Sequence, residues 1–335
     1  MVNGLYLEKP GQLTWIDVPV QERLHDDDVK IRVIYGGICG SDIAVYQGKL
    51  THAHYPVIPG HEILGEVVEA GAKAGLKVGQ RVVVQPNSYC GTCEQCQAGN
   101  ANICSGKKSL GINNQGGFSE EFIISSQYVI EVPDALVNER AIFIEPLAVI
   151  VHAFKKVSVT KDTAIAIVGC GTEGMLAVAL ASYYGAKITA VDINDEKLNK
   201  AKQHYPNIEI CRPEEVSDNQ FDVVMEVAGV KSAFEQCIEI VKPGGAIVAI
   251  GLPPTAEIPV VTLVRKEITV YGSIIYNVPD DFTKSIDYLL DASFHVEPII
   301  SEIISINHFS EAYEKAVSGD YRKIILSFDE SISST

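Results

Sequence analysis

The 335-residue chain has no apolar run long enough to cross a bilayer; its oiliest stretch, Ala164 to Val168, stops at a glycine cluster. A spanning helix needs roughly 20 consecutive apolar residues, so a membrane helix is excluded and no membrane partner is expected. The opening MVNGLYLEKPGQLTWIDV lacks a basic start followed by an apolar stretch, so no secretory leader is expected and the expected location is the cytoplasm. Basic residues are in short supply. Lys and Arg number 27 against 43 Asp and Glu, a formal net charge of −16, which disfavours nucleic acid or an anionic membrane surface as partner. With no secretory features, the eight cysteines are not read as a disulfide framework.

Two rhythms divide what is there. Through residue 145 the chain is mostly β. Val29 to Tyr35, Ile63 to Glu69 and Arg81 to Val84 alternate or run apolar over strand lengths, and Gly36-Gly37, Gly71, Gly75 and Gly79 punctuate them. From Pro146 strands alternate with helices. Strand Thr163 to Val168 leads into a glycine turn and the helical MLAVALASYYGA; then come strand Lys187 to Val191 and helix Asp195 to His204. A short strand near Ile208, strand FDVVMEV from Phe221, helix Lys231 to Ile240, a turn at Pro243-Gly244-Gly245 and strand AIVAIG from Ala246 continue the pattern. That alternation specifies parallel βαβ units. After Gly272 the pattern is mixed, with helices near Asp280 to Leu290 and Phe309 to Val317 and a last strand from Lys323. This tail is too short for its own core, so it is expected to complete the first domain. The expected boundaries are 1–147, 148–273 and 274–335.

Gly169-Cys170-Gly171-Thr172-Glu173-Gly174 matches G-x-G-x-x-G between a strand and a helix. The first glycine permits the tight turn, the second lets a diphosphate approach the backbone, and the third lets the helix pack closely. The helix N-terminus, from Thr172, would hold the diphosphate. Asp192 closes the second strand 23 residues after Gly169, placed to accept both ribose hydroxyls and to repel a 2′-phosphate. NAD is therefore expected over NADP. Lys197 is within reach of the same ribose or is simply a solvated helix lysine. The competing reading of Asp192 is a cap for the helix starting near Asn194.

Cys90, Cys93, Cys96 and Cys104 crowd into fifteen residues, the full ligand set of a closed tetrahedral zinc site. Short-range disulfides are the competing reading, which the compact, even spacing disfavours. Such a zinc would fold the loop and do no chemistry. A second set gathers Cys39, His61 and Glu62, with Glu145 at the end of the β-rich region. One thiolate, one imidazole and one or two carboxylates can hold a zinc that keeps a position for substrate. A metal held in that way is a Lewis acid that lowers the pKa of a bound alcohol.

These motifs resemble the zinc-containing medium-chain dehydrogenases: GICGSD around Cys39, PGHE at Pro59 to Glu62, the four-cysteine lobe, FIEPLAV around Glu145, GCGTEG, AVD at Asp192 and RKEITVYGS from Arg265. The resemblance spans the chain. It implies an α/β protein in which a GroES-like, mostly β catalytic domain is interrupted by an inserted Rossmann domain, with substrate in the cleft between them. Glu62 and Glu145 look like the sorbitol, butanediol and threonine dehydrogenase branch. By resemblance, Cys39, His61 and either Glu62 or Glu145 hold the catalytic zinc, and Ser41 takes the proton from the alcohol. Many relatives pass it on to a histidine three residues after that serine; here Ala44 stands there. Sorbitol-type relatives bind substrate hydroxyls with an arginine and a tyrosine where this chain has Ile275 and Tyr276.

The reading that results is an oxidoreductase with two zinc ions per chain, moving hydride reversibly between NAD and a small secondary alcohol, a polyol or vicinal diol. A homo-oligomer, tetramer or dimer, is implied by the resemblance. Threonine-like substrates and sugar-alcohol phosphates are alternatives, and a non-catalytic nucleotide-binding protein is the rival class.

Overall fold

The computed structural model describes residues 2–18 and 23–329. They form two units: residues 1–145 with 300–335, and residues 146–299.

The first unit begins with hairpin β1 (Val2–Lys9) and β2 (Gln12–Val18), then β3 (Asp28–Ile38), helix α1 (Gly40–Tyr46), β4 (Glu62–Ala70) and β5 (Arg81–Val84). A one-turn helix α2 (Glu94–Gln97), β6 (Glu121–Ser125), β7 (Val129–Glu131) and the short α3 (Asn138–Ala141) follow. Strand β3 shows why these segments are strands: Val29, Ile31 and Val33 are buried while Lys30 and Arg32 alternate toward solvent. Those inward side chains meet Ile63, Val67, Val82, Val84 and Phe118 in one core. Burying each such aliphatic contributes ~1.5–3 kcal/mol.

Helix α4 (Ile144–Phe154) carries the chain into the second unit, where β8 (Ala164–Val168), α5 (Thr172–Tyr183), β9 (Lys187–Val191), α6 (Asp195–His204), β10 (Glu209–Cys211), β11 (Phe221–Glu226), α7 (Lys231–Ile240) and β12 (Val241–Ala249) alternate. Helix α8 (Val260–Arg265), β13 (Thr269–Gly272) and α9 (Asp280–Leu290) complete it. The strands are all parallel, in the order β10-β9-β8-β11-β12-β13. The order reverses between β8 and β11, which opens the crevice where doubly wound sheets bind ligands. Pro243-Gly244-Gly245 lies inside β12 rather than in a turn before it. There the pairing with β11 shifts register, and Gly244 takes φ +74°.

The chain then re-enters the first unit with β14 (Ile300–Ser305), α10 (Phe309–Ser318) and β15 (Lys323–Ser327). Their addition gives the sheet order β14-β15-β3-β4-β5-β7, with β6 also paired to β3. The return comes at Ile300, later than the expected residue 274. The physical reason is α9: Asp281 in its first turn is fully buried against His152 and Lys155 of the second unit. Buried carboxylates stay where their cations are.

Candidate metal centres and nucleotide crevice

The loop from Cys90 to Cys104 converges on its own sulfurs. Cys93 caps the single turn of α2, and Cys104 follows a 3-10 turn, Ala101–Ile103. All four Sγ atoms lie within 4.8 Å of one another. Cys90 to Cys96 and Cys93 to Cys104 are 3.9 Å apart, and Cys104 to Cys90 is 3.6 Å. Disulfide sulfurs sit about 2.05 Å apart, whereas tetrahedral zinc with bonds of about 2.3 Å separates its sulfurs by about 3.8 Å. The spacing fits a metal and not a disulfide, and all four cysteines are free. Backbone N–H groups of Thr92 and Cys93 pull the Cys90 thiol down to about 6, whereas burial and the neighbouring Cys93 push Cys96 up to about 12, so without a metal the four sulfurs do not all favour the thiolate.

The second group is built by one antiparallel register. Gly37 of β3 pairs with Glu62 of β4, so Cys39, just past β3, arrives beside His61, just before β4. Cys39, His61 and Glu62 each present a ligand atom within 4.8 Å of the others. Ser41 Oγ is 3.3 Å from His61 Nε2. Asp42 accepts the backbone N–H groups of Cys39 at 3.0 Å and Gly60 at 3.1 Å, and lies 3.3 Å from His61 Nδ1. Burial opposes charge on His61, but the Asp42 carboxylate and Cys39 outweigh it and hold the imidazole pKa well above its ordinary value. This donor set of thiolate, imidazole and carboxylate fits a zinc ion.

Of the two expected carboxylates, Glu62 stands in this group. Among the described residues Glu145 is not part of it; it is buried in the first turn of α4. Glu62 is itself engaged. Lys323, the first residue of β15, donates to both its oxygens, at 2.7 and 2.5 Å. Lys323 was not singled out from the sequence. Its signal is a lysine opening an otherwise apolar strand, KIILSF.

In the second unit Gly169 follows β8 with φ +107° and Gly171 caps α5. A Cβ on Gly174 would collide with the Gly169 carbonyl, whereas one on Gly171 would meet nothing within 4 Å. The open side of Gly171 fits the approach of a diphosphate, with Thr172 and Glu173 in the first helical turn. Asp192 directly follows β9 and accepts the N–H groups of Cys170 at 2.7 Å and Asn194 at 2.9 Å. It does not cap α6: Asn194 does, accepting from Glu196 and Lys197. Asp192 therefore ties the glycine turn to the second strand, and Lys197 sits half-buried one turn on.

Past β13, Ile275 takes φ +41°, a region that β-branched residues avoid. Tyr276 is buried edge-on against Phe282, ring centroids 4.8 Å apart. Among the described residues no helix is long and apolar enough to cross a membrane.

Comparison with known proteins agrees with this geometry. The alcohol dehydrogenase GroES-like domain matches residues 25–134, and the zinc-binding dehydrogenase domain matches residues 174–291. Sorbitol dehydrogenase of Bacillus subtilis is 33% identical over 317 residues, covering 90% of this chain and 89% of that protein. Among solved structures, a protein of Sinorhizobium meliloti described as a zinc-binding dehydrogenase, bound to NADP, superposes with a TM-score of 0.89 at 28% identity, over 98% of this chain and 99% of the other. The 2R,3R-butanediol dehydrogenase of Bacillus subtilis does so with a TM-score of 0.89 at 26% identity, over 98% and 100%.

Proposed function

The chain belongs to the zinc-containing medium-chain alcohol dehydrogenase family, and on that footing we propose that it oxidises a small secondary alcohol, a polyol or vicinal diol, reversibly and with NAD. The observation that carries this reading is the convergence of Cys39, His61 and Glu62 with Ser41 beside the imidazole. Cys39 and His61 would hold the catalytic zinc with a carboxylate from Glu62 or Glu145, and Cys90, Cys93, Cys96 and Cys104 would hold a structural one. Zinc supplies Lewis acidity toward the alcohol oxygen, and NAD supplies the hydride acceptor.

The chain's own residues do the rest. Ser41 is placed to take the hydroxyl proton. Ala44 carries no group to pass it further, so water or another group must finish the transfer. Asp42 orients the His61 ring. The glycine turn and the N-terminus of α5 would receive the diphosphate, and Asp192 and Lys197 would hold the adenosine ribose.

The test is NADH formation from a diol by the purified protein, abolished by a chelator and restored by zinc. Cys39→Ala should abolish turnover with little loss of fold, whereas Cys93→Ala should mainly lower stability. Turnover that survives complete removal of metal would overturn the reading.

A further inference from the structure

Arg212 brings a guanidinium to the ribose end of the nucleotide crevice. Strand β10 runs parallel to β9 with Cys211 opposite Val191, and the N–H of Asp192 reaches the Cys211 carbonyl at 3.4 Å. The next residues past the two strands are therefore Asp192 on one side and Arg212 on the other. Both lie at the carboxyl edge of the sheet, from which the glycine turn leaves β8 and where doubly wound sheets bind ligands. Asp192 is tied to that turn through the N–H of Cys170.

A planar fork of donors in such a place suits a phosphate, yet this one is engaged by acids from both sides. Nη1 donates to Asp195 Oδ1 and Nε to Glu214 Oε1, each at 2.8 Å. Asp195 stands in the first turn of α6, and Glu214 in the 3-10 turn Pro213–Glu215. The backbone N–H of Arg212 donates to Glu215 at 2.9 Å, which fixes the start of that turn. One guanidinium thus faces two carboxylates, and the group as a whole is negative.

We propose that Asp195 and Glu214 are specificity-determining residues that quench Arg212 and keep it from seating an adenosine 2′-phosphate, a second device for selecting NAD beside Asp192. The proposal rests on the nucleotide reading given above. Arg212 is half-buried and both acids are exposed, and exposed ion pairs are individually weak. The strength of the clamp is therefore not what excludes the phosphate. The two carboxylates stay beside the guanidinium whether or not their bonds hold, and a phosphate has to enter their field. A ribose 2′-hydroxyl carries no charge and is indifferent to it. With both acids neutralised, Arg212 becomes a donor fork for phosphate.

Binding of NADH and NADPH, followed by the fluorescence of the nucleotide, tests this without an alcohol and without turnover. Wild type is compared with Asp195→Asn/Glu214→Gln and with the triple variant that adds Arg212→Gln, at low and at high salt. The double variant should gain affinity for NADPH by about tenfold or more, the scale of one charge-assisted hydrogen bond. Its affinity for NADH should stay within about threefold, since NADH has no 2′ charge. Salt should improve NADPH relative to NADH in wild type, where it screens a repulsion, and worsen it in the double variant, where it screens an attraction. The triple variant should lose the gain. Each single variant, Asp195→Asn or Glu214→Gln, should show part of it, so the test stands even where the double variant fails to accumulate. Variants that bind NADPH no better than wild type overturn the proposal. So does a gain that survives Arg212→Gln, because the acids would then act without the guanidinium. Wild-type protein that binds NADPH as tightly as NADH overturns both the proposal and the role of Asp192. Wild-type protein that binds neither overturns the nucleotide reading itself, before any variant is compared.

Discussion

Asp42 reaches His61 from two directions: its carboxylate lies 3.3 Å from Nδ1 and also accepts the N–H of Gly60, the residue before. The ring is thereby turned so that Nε2 faces Ser41. A carboxylate behind a ligating histidine fixes its tautomer and raises its basicity, and losing such a partner costs about 10–100-fold in metal affinity or activity. Asp42→Asn keeps the shape and loses the charge, so zinc affinity and turnover should fall together by that factor. Unchanged zinc affinity in the folded variant would reduce Asp42 to a loop anchor.

A second buried carboxylate sets the acid stability. Burial works against charge on Asp281, but hydrogen bonds from His152 and Lys155 and from the Asn277 N–H win, and its pKa is lowered. A depressed carboxylate stabilises the fold above its unfolded pKa of about 3.9 and loses that contribution as pH falls through the folded value. Asp281→Asn leaves the buried His152 and the Lys155 contact uncompensated, which typically costs about 3 kcal/mol. Denaturant unfolding should show that deficit at pH 7, and the gap to wild type should close below about pH 4. A gap independent of pH would mean that packing, not charge, holds α9.

Much of this was legible in the chain itself, for a physical reason. Helices α6 and α9 and strand β5 fall at the residues the pattern names, because local periodicity and capping decide them. The two cysteine-bearing sets were legible because their ligands are short-range or carry recognisable neighbours. What was not legible depends on partners far apart in sequence. Lys323 meets Glu62 across 261 residues, and Asp281 meets His152 across 129. Neither lysine nor aspartate announces a distant partner. The same blindness displaced the return boundary, since long-range pairs such as His152–Asp281 and Tyr184–Tyr288, not the local pattern, tie α9 to the second unit.

Cofactor choice follows from Asp192. Both of its oxygens already accept backbone N–H groups, so the carboxylate is fixed at the end of β9 rather than free to swing away. A fixed negative charge there opposes a 2′-phosphate. Catalytic efficiency with NAD should exceed that with NADP by at least tenfold, and Asp192→Ala should narrow the ratio. The NADP-bound relative makes this a real test. Equal efficiencies in the unmodified enzyme would remove the basis for the assignment.

The outer edge of the parallel sheet predicts association. Strand β13 is an edge strand, exposed along its length. Beside it in sequence Val260, Val261 and Val264 of α8 are each more than 60% exposed. Edges and apolar patches of this kind are covered in stable proteins. We expect a closed homo-oligomer, a tetramer or a dimer, that Val264→Asp weakens. Sedimentation at low concentration checks this, and a stable, active monomer of the unmodified chain would contradict it.

The substrate is the last and sharpest question, and Ile275 and Tyr276 bear on it most directly. At the position where sorbitol-type relatives carry an arginine, Ile275 offers no hydrogen-bond donor beyond its backbone, and it is held at φ +41°. A missing guanidinium removes five donors in a fixed fork, a large loss for a ligand whose surface is hydroxyl groups. Tyr276 is buried against Phe282, which ties down its ring. On that resemblance we expect a short vicinal diol, or a threonine-like substrate, to be preferred over a long sugar alcohol. A phosphorylated polyol would need a cationic seat that no cluster in the sequence announces. NADH formation across sorbitol, xylitol, ribitol, 2,3-butanediol, threonine and polyol phosphates ranks these directly. The comparison must use kcat/KM, because KM alone also reports binding that does nothing for the chemical step. We expect 2,3-butanediol to exceed sorbitol by about tenfold or more, the worth of roughly one good charged hydrogen bond at 1.4 kcal/mol per decade. Ile275→Arg should shift the ratio back toward sorbitol. If primary alcohols surpass every diol and polyol, the substrate class is wrong while the metal and nucleotide assignments stand.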